Sequence, residues 1–275
     1  MRVQTRRRPA LPPVAHRVSA LAVLIAILIA GAPMARAADL SAAGLLYAAG
    51  DYRQAARMAL EAQTAPGDAF AARALLAAAT AQPQGDRQEL VALAAEAARM
   101  AIARDGTAIE GYLQLAIALG YEGRAIGNIA AHERGLASEA RRVIDSALAI
   151  DADNPWALTL DGAWHLEIVD AAGRILAIAL YGARRGSGLA ALRAAAAYPD
   201  VSLVILHQCA LQLLAHDPEK FGAEAAGWLE AVAAREPIDA FERHTKRQAA
   251  RLLLAWRSGR DTLLRQEIAR QQLLR

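Results

Sequence analysis

The sequence predicts an all-α protein, an array of helical hairpins stacked as an α-solenoid. Three observations predict it. Alanine dominates, with leucine and arginine next, so intrinsic helix propensity is high nearly everywhere. No stretch alternates β-branched and polar residues as a half-buried strand does. Turn and capping residues leave segments of roughly 10–20 residues between them, the length of paired antiparallel helices.

The first element stands apart from the array. Residues 1–17 carry Arg2, Arg6, Arg7, Arg8 and Arg17 and no acid, residues 18–32 are almost wholly apolar, and Ala35-Arg36-Ala37 follows. A basic stretch, an apolar stretch and a small-residue site in that order make a secretory signal peptide. The apolar run, about 15 residues, is short of the ~20 that span a bilayer as a helix. The expectation is therefore a signal peptide over 1–37, cleaved near Ala37, and a periplasmic domain over 38–275 with no stable membrane insertion. An uncleaved N-terminal anchor is the alternative.

Removing that segment changes the charge. The chain has 31 Lys and Arg against 28 Asp and Glu, but residues 1–37 hold six Arg and no acid. Residues 38–275 keep 25 basic and 28 acidic side chains, a net charge of −3. A nucleic-acid partner, which needs a basic face to neutralise phosphates, is not expected. The lone cysteine, Cys209, sits in an apolar helical run and reads as a buried core residue. No intrachain disulfide is available, so packing alone must hold the domain.

Along the array, breaks fall at Gly50-Asp51, Ala65 to Asp68, Gln82 to Asp86, Asp105 to Thr107, Asp151 to Pro155, Arg185 to Gly188, Pro199-Asp200, Asp217-Pro218, Glu236-Pro237 and Ser258-Gly259. Asp68, Asp86, Thr107, Asn154-Pro155, Ser187 and Asp217-Pro218 are the expected helix starts, placing a capping side chain or Pro before an apolar run. The breaks at Pro66, Asp105, Asp151, Pro199 and Pro237 are 39, 46, 48 and 38 residues apart, an irregular repeat of about five or six hairpins. One echo supports a repeat: Pro66-Gly67-Asp68-Ala69-Phe70 returns as Pro237-Ile238-Asp239-Ala240-Phe241.

Residues 45–62, LLYAAGDYRQAARMALEA, and 140–164, ARRVIDSALAIDADNPWALTLDGAW, resemble the tetratricopeptide repeats (TPR). The residues that carry the likeness are Gly50, Asp51 and Tyr52 at a turn, Ala55 and Ala62 at small-residue positions, then Ala147, Leu148, Ile150, Asp151 and Pro155. Residues 95–124 match more weakly. The likeness covers roughly residues 40–165 and implies helix–turn–helix units, each burying its apolar face against its neighbours. Residues 112–192 are also faintly similar to the repeat region of the regulator of microtubule dynamics family, from which only a helical-repeat fold is carried over. The T component of some periplasmic uptake systems is a further helical-repeat relative by compartment, with no motif here to secure it.

Three stretches are candidates for chemistry. In Trp164-His165-Leu166-Glu167, His165 and Glu167 point to opposite sides of a helix, and the same-face partner of His165 is Asp161, four residues earlier. That pair reads as a structural hydrogen bond, with half a metal site as the alternative. Trp156, Leu160 and Trp164 recur at helical spacing as a packing stripe or one wall of a groove. Gly182 to Gly188, with Arg184 and Arg185, reads as a hairpin turn opening a helix over 189–197, and alternatively as a seat for an anion. Glu242 to Arg247 with Arg251 reads as the solvated face of a helix over 238–256, and alternatively as a docking surface for an acidic partner.

The sequence carries no nucleophile–base signature, nucleotide fingerprint or paired cysteine. The expectation is a non-enzyme with no cofactor and no metal, a protein–protein adaptor or scaffold taking a partner peptide or helix in a concave groove. The alternative is a small-molecule-binding component of a periplasmic uptake system, with a pocket near Trp156, Trp164, His165 and Arg174. Arg184 and Arg185 complete the expected binding set.

Overall fold

A computed structural model describes residues 40–81 and 87–272. The expected signal segment and the helix start at Asp86 lie outside the described residues. Among those described there are thirteen helices and no strand. They are α1 (40–49), α2 (Tyr52–Glu61), α3 (Ala65–Ala81), α4 (Arg87–Arg104), α5 (Ile109–Ile126), α6 (Asn128–Glu133), α7 (Leu136–Ile150), α8 (Pro155–Leu176), α9 (Arg185–Ala196), α10 (Leu203–His216), α11 (Pro218–Ala234), α12 (Ala240–Arg257) and α13 (Asp261–Gln271). A π-helical turn, Ala177–Tyr181, follows α8.

The helices form six pairs: α1/α2, α3/α4, α5/α7 with the short α6 between, α8/α9, α10/α11 and α12/α13. The first helices of successive pairs also pack on one another, α3 on α5, α5 on α8, α8 on α10 and α10 on α12. They form an inner layer and the second helices an outer one. The layer returns on itself, because α12 touches α3 and α1 sits beside both. Tyr47 of α1 lies 5.7 Å from the Phe70 ring and 6.3 Å from the Phe241 ring. The two Pro-x-Asp-Ala-Phe echoes thus deliver their phenylalanines to one tyrosine.

Local chemistry explains several boundaries. Asn154 accepts hydrogen bonds from the N–H groups of Trp156 and Ala157, with Pro155 as first residue of α8. Asp217 caps α11 through Lys220 N–H, Ser202 caps α10 through Ile205 N–H, and Asp239 caps α12 through Glu242 N–H. Gly50 closes α1 at φ +100°, a conformation only glycine adopts freely, and a Cβ there would stand 3.3 Å from the Ala240 Cβ. Tyr52, Ala55, Ala62 and Ala147 are buried, and Pro155 opens α8.

Several expected boundaries differ. Helix α3 starts at Ala65, because the Thr64 hydroxyl accepts the Gly67 N–H and caps one turn earlier than Asp68 would. Asp68 is instead buried and accepts from Arg104 Nε at 2.5 Å, tying the start of α3 to the end of α4. Thr107 spends its hydroxyl and N–H on Asp105, and α5 begins beyond it with no side-chain cap. Helix α9 begins at Arg185, not at residue 189, so Ser187 lies in its first turn. The reason is the crossing with α8: a Cβ on Gly188 would meet Gly162 O at 3.0 Å, and one on Gly162 would meet Leu192 Cγ at 2.6 Å. Helix α12 begins at Ala240 rather than 238, one residue beyond its Asp239 cap.

Candidate functional site

The inner layer surrounds a half-enclosed cavity of about 240 Å3. Every first helix contributes: Tyr47 from α1, Arg73, Leu76, Ala77 and Thr80 from α3, Glu110, Gln114, Ile117 and Tyr121 from α5, Trp156 from α8, Val204 and Gln208 from α10, and Asp239, Phe241 and Glu242 at the start of α12. Each helix turns its outer face to its pair partner, so only one to four positions per helix reach this space.

The polar wall is organised by two helix starts. Glu110 lies in the first turn of α5, where its carboxylate takes the Arg73 guanidinium at 2.7 Å and the Gln114 amide N–H at 3.3 Å. Asp239 and Glu242 form a capping box on α12: Asp239 accepts the Glu242 N–H at 2.7 Å and Glu242 accepts the Ile238 N–H at 2.9 Å. Burial pushes the Tyr47 hydroxyl well above the ordinary tyrosine range; nearby Arg73 opposes that rise and Asp239 and Glu242 add to it. Burial also raises Tyr121. Both rings therefore face the cavity as neutral phenols.

Of the six residues expected to bind, only Trp156 lines this cavity. Trp164 is buried behind α7, its indole N–H donating to Ala137 O at 2.9 Å and its ring 5.0 Å beneath the Arg141 guanidinium. His165 Nδ1 accepts the Arg184 N–H at 3.1 Å. That bond requires a bare Nδ1 and places the ring proton on Nε2, 3.7 Å from Asp161 Oδ1. Burial lowers the His165 pKa, against the opposing pull of Asp161. Asp161 meets Arg141 at 2.6 Å, and Arg141 reaches on to Asp145, so the Asp161–His165 pair belongs to a bracket between α7, α8 and the start of α9. Arg174 is exposed, one residue after Gly173, which leaves helical geometry at φ +74°. Arg184 is exposed too, and Arg185 lies over the Phe221 ring at 5.5 Å. The turn at residues 182–184 commits its N–H groups to Ile178 O, Ala177 O and His165.

The charged stretch of α12 divides its duties. Glu242 faces the cavity, Arg243 reaches Ala48 O at 3.5 Å, Lys246 donates to Arg235 O and Arg251 pairs with Glu267. Cys209 is buried beside Thr159, and burial pushes its thiol up to about 12. Among the described residues no helix is long and apolar enough to cross a membrane.

Sequence reasoning missed Tyr47, Arg73, Glu110, Gln114 and Asp239 as site residues. The available signals were faint: Asp239 lay within the five-residue echo and Glu242 within the charged run. Comparison with known proteins finds no family model that matches the chain and no curated protein similar to it.

Proposed function

We propose that this chain binds a small molecule in its central cavity, as the soluble component of a periplasmic uptake system would. The observation that supports the reading is the return of α12 to α3 and α1, which turns the concave face of a helical-repeat array into a chamber lined from all six first helices. Pockets of this kind, largely apolar with a few convergent polar groups, are the usual seats of small ligands. Export rests on the basic–apolar–small pattern of residues 1–37.

The test is native mass spectrometry and thermal melting of the full-length chain recovered from an exporting cell. A bound small molecule that raises the melting temperature, and that is lost in Thr80→Leu, supports the reading. Thr80 lines the cavity and its hydroxyl serves only carbonyls of its own helix, so leucine fills space and disturbs little else. No adduct and no ligand-dependent shift would contradict it.

The adaptor reading draws on a different observation. Ile129, Ile175, Leu176 and Leu180 are exposed on two neighbouring segments, α6 and the end of α8 with its π turn. These are joined by His132 Nδ1 and Tyr181 Oη at 2.5 Å. A protein partner would then dock on the outside of the array. Leu176→Ser with Leu180→Ser should abolish its capture and leave the melting temperature within about 0.5 kcal/mol equivalent of the parent. Retained capture would remove that reading.

A further inference from the structure

The cavity wall is unbalanced in charge. Arg73 and Glu110 cancel each other in charge. Asp239 and Glu242 do not make an ion pair among the described residues; each uses one oxygen on a backbone N–H of the α12 start and leaves the other without a protein partner. Both carboxylates lie at the positive end of the α12 dipole. The net charge on the wall is negative.

The neutral polar groups point the same way. Gln114 is only 7% exposed and lines the cavity. Its Nε2 must face Glu110, since only the amide N–H can donate to a carboxylate, and this leaves its carbonyl oxygen as an unpartnered acceptor. The Thr80 hydroxyl donates to Leu76 O, 3.0 Å away in its own helix, leaving its lone pairs for the cavity. These carboxylate, amide and hydroxyl oxygens offer acceptors, beside the donor-capable phenols of Tyr47 and Tyr121, the Trp156 indole and the Gln208 amide. Between them stand the faces and edges of Tyr47, Tyr121, Trp156 and Phe241.

A ligand that satisfies the charged part of this wall carries a cationic donor at one end and an apolar body at the other. We propose that the cavity binds a primary organic ammonium with an aromatic or branched apolar body, its N–H groups directed to Asp239, Glu242 and the Gln114 carbonyl, its body packed among the aromatic rings. An ammonium supplies three donors and no acceptor, and aromatic faces attract the cation as they bury the body. Size agrees. A cavity of roughly 150 Å3 takes a benzene ring, and 240 Å3 takes a ring with a short aminoalkyl chain. An organic acid would meet two unpaired carboxylates and a single arginine already engaged by Glu110.

This rests on the small-molecule reading above, and the test separates the two. Calorimetric titration of the full-length chain would use three probes of matched shape: phenethylamine, 2-phenylethanol and 3-phenylpropanoate. The expected result is saturable binding of phenethylamine, about tenfold or more tighter than 2-phenylethanol, a gap of about 1.4 kcal/mol, with no binding of 3-phenylpropanoate. Asp239→Asn with Glu242→Gln should erase that preference at an unchanged melting temperature, because asparagine caps a helix as well as aspartate does. Binding of the alcohol or the acid as tightly as the amine overturns the ammonium assignment and leaves the small-molecule reading standing. Binding of none of the three overturns the assignment and counts against the chamber as a ligand site.

Discussion

Helices α3 and α10 hold equivalent places in the inner layer, and both are buried on nearly every side, yet they are built from opposite materials. Helix α3 buries Ala69, Ala71, Ala72, Ala74, Ala77, Ala78 and Ala79, with Leu75 and Leu76 as its only buried large aliphatics. Helix α10 buries Leu203, Val204, Ile205, Leu206, Leu211, Leu213 and Leu214. The first brings neighbouring backbones close and gains many short contacts. The second keeps them apart and interdigitates. Alanine has the highest helix propensity and loses no side-chain entropy, so the α3 region gains locally what it forgoes in buried area. The α10 region depends on long-range packing. Damage should therefore take opposite forms in the two regions.

The largest effect expected is from removing bulk in the second region. Leu213→Ala empties a fully buried position and should cost about 2–5 kcal/mol, read as a fall in denaturation midpoint. A loss below about 1 kcal/mol would mean that α10 can collapse onto its neighbours as α3 does. In the first region the damaging change is addition. Ala74→Leu, at a position with no exposure, should cost about 1–3 kcal/mol by overpacking. Gly162→Ala should fall in the same range of about 1–3 kcal/mol, because its Cβ would meet Leu192 Cγ at 2.6 Å and Gly188 O at 2.9 Å.

The regions should also part company in acid. His207 is fully buried in α10, its Nε2–H donating to Gln271 Oε1 at 2.7 Å, and burial pushes its pKa from 6.5 down to about 4. His244 of α12 is held near 4 by burial and by Arg247, Arg251 and Arg270. Between 6.5 and about 4 the unfolded chain binds protons that the folded chain refuses. Stability contributed by these two neutral rings is present above 6.5, falls through that window and is lost below it. Hydrogen exchange across it should show α10, α12 and α13 losing protection before α3 and α4. His207→Gln, which keeps the donor at the Nε2 position, should flatten the dependence. A uniform loss along the chain would remove the distinction. The smallest effect is at a helix start: Asp239→Ala should cost about 1 kcal/mol and Asp239→Asn almost nothing.

The same contrast explains what the sequence disclosed. Short-range chemistry was legible: Asn154-Pro155 and Asp217-Pro218 start helices, Gly50 ends one, Cys209 is buried, and Asp161 and His165 share a face. The misplaced starts of α3 and α9 came from choices local propensity cannot rank. Thr64 outcompetes Asp68 as a cap, and α8 crosses the first turn of α9 too close for a side chain at Gly188. The chamber was not legible at all. Its polar residues come a few per helix from positions spread between Tyr47 and Glu242, and no local pattern marks them. They converge because α12 meets α1, a contact set by the cumulative rotation of five helix pairs.

That contact is the claim on which the chamber depends, and a double-mutant cycle measures it most directly. Tyr47→Leu, Phe241→Leu and the pair would be unfolded in denaturant under identical conditions. Rings 6.3 Å apart in a closed layer predict a coupling of about 0.5–1.5 kcal/mol between residues at opposite ends of the array. Strict additivity of the two single losses would mean that the ends do not meet, and that the array is an open arc with a groove in place of a chamber.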